Sequence, residues 1–336
     1  MSSVALPAQP ERIMKELARV WTSLAEEERH QGGPTVLRAC AMTLIVATDD
    51  EDEESLAASQ TLTELMHAHP SRAIVLRSSD RAGEGLSAHV FAQCWKPFGK
   101  AQQICCEQIE IAARPDQWLD VGPTVLGIIV PDLPVVVWCR QKSALRSSAN
   151  DRAQAGLESV LSLATKTIVD TRGIPVPEAL ARMREWKQRG RIVGDLEWTR
   201  LTPWRQTIAH VFEDFDALSE LKNIRTVEIA YTDEVAPASA LYAAAWLENG
   251  IAANAALRRE EGFGPGLHRI SLKSGNTSIE LERTGPTCIR LNVGDKEQQI
   301  SMAGSSLYEL MHEELTVLGP DAVFDAAFEK VREIRS

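Results

Sequence analysis

The chain reads as an α/β protein, with a layered mixed-sheet N-terminal domain and a smaller antiparallel α+β C-terminal domain. Three observations predict this. Apolar runs bounded by turn residues alternate with stretches of helical periodicity over roughly the first two thirds of the sequence. After about Leu218 the pattern changes to short segments separated by Ser-Gly-Asn, Gly-Pro and Gly-Asp turns, as in an antiparallel meander. The length of 336 residues fits roughly two domains at about 150 residues each. The expected domains are 1–217 and 218–336, with no internal repeat and no low-complexity linker.

Ile13, Leu17, Val20, Trp21 and Leu24 recur at helical spacing, so an amphipathic helix opens the chain and ends near Gly32-Gly33-Pro34. Val36–Ala47 is almost wholly apolar and predicts one buried strand. Six consecutive acids, Asp49–Glu54, lead into a helix through His67. They suit a solvated helix start favoured by the dipole, or a partner-binding patch. Strands follow at Ala73–Leu76, Leu86–Cys94, Gln102–Ala112 and Val135–Cys139. Helices near Arg152–Ala164 and Pro177–Gln188 flank a strand at Thr167–Asp170. Thr202 and Pro203 suit the cap and first residue of a helix. In the C-terminal part, Thr226–Ala230 predicts a strand and Ala238–Glu248 a helix closed by Gly250. His268–Lys273, Ser278–Glu282, Thr287–Val293 and Gln298–Met302 form the meander. Ser306 with Glu309 makes a capping box, and Asp321 opens the last helix.

Composition narrows the function. A net charge of −11 disfavours nucleic acid, whose phosphates need Lys and Arg to displace counterions, and anionic membrane surfaces as well. The most apolar stretch, Val121–Cys139, is broken by Pro123, Pro131, Asp132 and Pro134 and does not span a bilayer as one helix. Met1–Pro10 lacks the pattern of a signal peptide, so a cytoplasmic location is expected. The six cysteines include no C-x-x-C, and His67 and His69 sit two apart on opposite sides, so no metal site is expected. In a reducing cytosol the thiols are expected to be mostly free. No phosphate loop, nucleophile elbow or zinc-peptidase motif is present, and no cofactor is expected. Gly262-Phe-Gly264-Pro-Gly266 reads as a loop following a helix.

Two segments carry most of the functional signal. In Gln102–Ala112, Gln103, Cys105 and Glu107 share one face and Ile104 and Cys106 the other. The apolar parity then switches at Ile109 and Ile111, which predicts a bulge or a strand that leaves one environment for another. Gln103 and Glu107 read as a polar cleft wall, a partner contact or a solvated face. The second segment, Trp198–Gln206, contains Trp198, Arg200, Thr202, Trp204, Arg205 and Gln206. Two Trp and two Arg around a helix start suit an interface or an anion site, or else a loop anchored to the core. His69 and Arg72 stand where a helix passes into a strand, and Arg140 closes the strand Val135–Cys139, where ligands tend to bind in α/β folds. All eleven residues are candidate partner- or anion-binding positions, with none assigned a catalytic role.

These residues also carry a resemblance. His69-Pro70-x-Arg72, Trp95-x-Pro97-Phe98-Gly99 with Gln103–Ile111, Pro131-Asp132-x-Pro134, and above all Asp195-Leu196-x-Trp198-Thr-Arg-Leu-Thr202-x-Trp204-Arg205 resemble the glucose-6-phosphate dehydrogenase assembly protein family, OpcA. Ser306-Leu307-x-Glu309-Leu310, Glu313-Glu314-Leu315 and Pro320-Asp321-x-Val323-Phe324 fit as well. The resemblance runs from about residue 13 to 328. It implies a non-catalytic activator or assembly factor whose partner is glucose-6-phosphate dehydrogenase, in the oxidative pentose phosphate pathway. Photosynthetic members are associated with thiol redox control. With only Cys288 in the expected C-terminal domain, no disulfide switch within that domain is available here. The competing reading is an enzyme or sensor that takes a sugar phosphate at the Arg-rich helix start, and a third is a thiol regulator using Cys105 or Cys106.

Overall fold

The computed structural model describes residues 6–31, 35–49, 53–80, 82–97, 102–146, 151–213, 221–275, 278–302 and 306–334. Half of the acid run (residues 50–52), Gly32-Gly33-Pro34 and Phe98-Gly99 lie outside these residues. The chain forms two compact units. The first comprises Met1–Asp170, Pro177–Gly194 and Met311–Gly319; the second comprises Thr171–Val176, Asp195–Leu310 and Pro320–Ser336. The boundary expected at 217/218 therefore falls inside the second unit. Turn grammar changes near Leu218, but the side chains from Asp195 onward already bond to Thr171 and Tyr242 of the second unit.

The first unit is built on a mixed sheet. Its strands are β1 (Leu6–Pro7), β2 (Val36–Arg38), β3 (Met42–Asp49), β4 (Ser71–Ser78), β5 (Ser87–Trp95), β6 (Gln103–Ala113), β7 (Val135–Cys139), β8 (Lys166–Val169) and β9 (Ile192–Asp195). The order is β1-β5-β6-β4-β3-β7-β8-β9, with β2 paired to β6. β3 lies between β4 and β7, parallel to both. Central parallel strands are covered on both faces and are apolar throughout, which is why Leu44–Ala47, Ala73–Leu76 and Val135–Cys139 are all buried. Helices α1 (Pro10–Gln31), α2 (Glu53–Ala68), α3 (Val121–Leu126), α4 (Asp151–Leu161) and α5 (Val176–Gln188) complete the layers. Gly156 lets α4 approach the backbone of Trp118, since a Cβ there would sit 2.3 Å from the Trp118 carbonyl carbon.

Three expectations for this unit need correction. Val36–Ala47 is two strands, because the chain leaves β6 after Arg38 and re-enters between β4 and β7 at Met42. Gln103–Ala113 has no bulge: its pairing with β5 runs unbroken from Ser87↔Ala112 to Trp95↔Ile104. The parity switch has another cause, since Cys105–Ile109 are buried on both faces and the charged Glu107 is neutralised by arginines. Finally, Cys105 is not a free thiol; it forms a disulfide with Cys94, its directly opposed partner across the strand pair. Cys40, Cys106, Cys139 and Cys288 are free.

The second unit carries a six-stranded sheet ordered β11-β10-β12-β13-β14-β15. The strands are β10 (Thr226–Tyr231), β11 (Ala255–Arg259), β12 (Leu267–Lys273), β13 (Ser278–Gly285), β14 (Cys288–Val293) and β15 (Lys296–Ser301). The meander β12–β15 is antiparallel as expected, and β11 adds one parallel pairing with β10. The Gly-rich loop thus follows a strand, not a helix, and its Gly264 and Gly266 take φ of 66° and 101°, values that only glycine adopts freely. Helix α8 (Ala238–Gly250) is buried along most of its length, with Tyr242 meeting Phe324 edge-on at 5.5 Å. The capping box at Ser306 and Glu309 forms, and Asp321 caps the helix Ala322–Lys330 by accepting from the Val323 and Phe324 amides.

Candidate functional site

The second unit holds a cluster of polar side chains arranged around a buried carboxylate. Asp195 is fully buried and caps the short helix α6 (Leu196–Thr199) by accepting from the Glu197 amide. Its two oxygens also accept from the Thr171 amide at 3.2 Å, the Thr171 hydroxyl at 2.7 Å and the Tyr242 hydroxyl at 2.9 Å. Four donors satisfy the carboxylate, so its burial is compensated. Asp195 therefore fixes where the next residues emerge.

Those residues form a ladder of charge. Glu197, 2% exposed, accepts from Arg172 at 2.9 Å and Arg200 at 2.8 Å, both on Oε1. Trp198 donates its indole N–H to Asp321 at 3.0 Å and packs on Phe324 at 5.5 Å. Arg205 reaches back from helix α7 (Thr202–Val211) to lie over Trp198, and donates to the Thr202 hydroxyl at 2.8 Å. Thr202 is the first helical residue and not the cap. Leu201 before it keeps helical dihedrals, and the amides of Arg200 and Leu201 already bond to the Leu196 and Trp198 carbonyls. The helix start is thus continuous with the preceding turn. Trp204 is buried and Gln206 exposed.

Beside this ladder lies a cavity of about 80 Å³. It is lined by Arg172, Arg200, Leu201, Trp204, Ser239, Pro265, Gly266, Leu267, Arg283 and Met302. Arg200 and Trp204 were legible candidates. Arg172, Arg283 and the Pro265-Gly266 loop were not, because they come from separate elements and no spacing links them. A Gly-rich loop and an isolated arginine on a strand carry no signal until the sheet brings them together.

The remaining candidates belong to the first unit. Arg72 and Glu107, 4% and 2% exposed, pair at 2.6 Å. Arg38 and the Trp21 indole N–H reach the other Glu107 oxygen, each at 2.6 Å, and Arg72 also donates to the Ile128 carbonyl at 2.6 Å. This cluster ties helix α1 and the loop after α3 to the sheet. His69 shares a 2.9 Å hydrogen bond with His312, and burial, then the neighbouring His312, holds its pKa below the ordinary histidine value. Arg140 lies 5.0 Å from the Trp138 ring centroid. Gln103 is half-buried and its backbone N–H donates to the Thr35 carbonyl. Among the described residues no cluster of three or more His, Cys, Asp or Glu could hold a metal ion, and no helix is long and apolar enough to cross a membrane.

Comparison with known proteins places this geometry. Residues 62–185 match a family model described as the glucose-6-phosphate dehydrogenase subunit N-terminal domain, and residues 191–328 match its C-terminal counterpart. The two models meet between Glu185 and Arg191, just before the Asp195 ladder. A protein described as OxPP cycle protein OpcA from Synechocystis sp. is 29% identical over 49% of this chain and 34% of its own length. Its namesake from Synechococcus elongatus is 24% identical over 76% of this chain and 53% of its own length. The chain thus spans about a third to a half of the curated relatives it matches. Among solved structures, an oxidoreductase from Sinorhizobium meliloti superposes with a TM-score of 0.48 at 10% identity, covering 88% of this chain and 96% of that one; likeness so distant assigns no activity. With consecutive N- and C-terminal models matched over most of its length, the chain belongs to the OpcA family of glucose-6-phosphate dehydrogenase assembly proteins.

Proposed function

We propose that this protein is a non-catalytic partner of glucose-6-phosphate dehydrogenase that promotes its assembly or activity in the oxidative pentose phosphate cycle. The observation that carries the reading is the pair of consecutive family models, both described as parts of a glucose-6-phosphate dehydrogenase subunit. The chemistry of the cavity supports it. The side chains lining it offer three guanidiniums and one hydroxyl, with no carboxylate, imidazole or thiol among them. That set suits an anion, and it offers no side chain of the kind that most often moves a proton in general acid–base catalysis. Activation by binding requires tighter affinity for the active form of the partner than for the inactive one. The test is kinetic: the partner's KM, kcat or oligomer mass shifts when this protein is added, and this protein alone turns over no substrate.

A further inference from the structure

Independently of the dehydrogenase partnership, we propose that the cavity lined by Arg172, Arg200 and Arg283 binds a small phosphate monoester by its phosphate group, as an effector and not as a reactant. Charge is the first argument. Three guanidiniums converge on one cavity, and Glu197 is bonded to two of them, Arg172 and Arg200. Such a convergence of cations suits a compact oxyanion, and a phosphate monoester carries about −1.5 to −2 near neutral pH.

Arg283 supplies the second argument. Its described partners are neutral: the Pro265 carbonyl at 3.1 Å and the Phe263 ring, 5.8 Å from the guanidinium. Its Nε is buried without a hydrogen-bond partner among the described residues. Burial first, and then the charge of Arg172, pushes its pKa below the ordinary arginine value. A cation facing a like charge across a cavity is an arrangement that an anion stabilises. The planar fork of a guanidinium favours the oxygens of a phosphate group.

Shape is the third. The cavity of about 80 Å³ has room for several waters at roughly 10–15 Å³ each, enough for an oxyanion head and far too little to enclose a dinucleotide. Gly266 brings bare backbone to one wall, and Leu201, Trp204, Leu267 and Met302 make the others apolar. Such walls strengthen the attraction between the guanidiniums and an anion.

The test uses the full chain without any dehydrogenase, titrated calorimetrically at constant ionic strength with inorganic phosphate, glucose 6-phosphate and glucose. The expected result is saturable binding of both phosphates at one per chain and none of glucose. Tighter binding of the sugar phosphate would show that the cavity also reads the sugar, and equal binding that the phosphate alone is recognised. Arg283→Gln should weaken phosphate at least tenfold while the melting temperature without ligand holds or rises. Arg172→Gln, which still leaves Arg200 on Glu197, gives the same loss of affinity should the first variant misfold. Absence of saturable phosphate binding, or unchanged affinity in a folded Arg283→Gln or Arg172→Gln protein, would overturn the proposal.

Discussion

The Arg205 guanidinium stacks on the Trp198 indole, 3.9 Å from the ring centroid, while the indole N–H is bound to Asp321. One side chain thereby presses the other into the core formed with Phe324 and Tyr242. A partly exposed cation–π contact contributes about 0.5–2 kcal/mol. We expect Arg205→Ala to lower unfolding free energy by about that amount while the folded protein keeps its effect on the dehydrogenase. Chemical denaturation and the coupled assay on one preparation check this. Lost activation at unchanged stability would place Arg205 on the partner surface instead.

Removing Glu107 should be far more damaging. Arg72 is 4% exposed, and deleting its partner leaves a buried charge, at a typical cost of about 3–5 kcal/mol. Glu107→Gln is expected to unfold at much lower urea than the parent. A double replacement, Arg72→Met with Glu107→Leu, should recover much of the loss, because no buried charge remains. A double variant as unstable as the single one would show that the pair's geometry, not its charge, holds helix α1.

These two sites show what the sequence made legible. The Asp195–Arg205 motif stood out by composition, and the structure gathers it into one ladder because capping and stacking are local. The Ser306 box and the Asp321 cap were readable for the same reason. Glu107 was harder: period two placed it on a face but gave no sign that Arg38, Arg72 and Trp21, from three other elements, would converge there. The cavity was illegible, since Arg172, Ser239 and Arg283 meet only through the fold. The Cys94–Cys105 disulfide was missed because eleven residues of separation say nothing until the hairpin register opposes the two.

His69 predicts a pH dependence. Its pKa in the folded protein lies below the ordinary value of 6.5, through burial and then His312. The unfolded chain therefore binds the proton more readily. Stability from this group is present above pH 6.5 and declines as pH falls through the folded value. The His69→Asn variant should show a shallower loss of melting temperature between pH 6.5 and 5 than the parent. An identical slope in both proteins would contradict this.

The thiols should divide by burial. Burial pushes Cys106 up to about 11 and Cys139 up to about 12, so neither forms much thiolate near neutrality. Alkylation of the native, unreduced protein at pH 8 should label the half-buried Cys40 and Cys288 and spare Cys106, Cys139 and the Cys94–Cys105 pair. Cys94 and Cys105 should join after reductant and denaturant. Mass spectrometry of the labelled peptides checks the order, and early labelling of Cys106 or Cys139 would refute the assignment.

The central claim is that this chain works through a dehydrogenase and has no turnover of its own. The direct measurement is initial-rate kinetics of glucose-6-phosphate dehydrogenase from the same organism across a titration of this protein, with the protein alone as control. The account predicts a saturable fall in KM, rise in kcat or shift in oligomer mass, and no turnover of glucose 6-phosphate by the protein alone. Unchanged kinetics and mass at saturating excess, or substrate turnover by this chain in isolation, would contradict it.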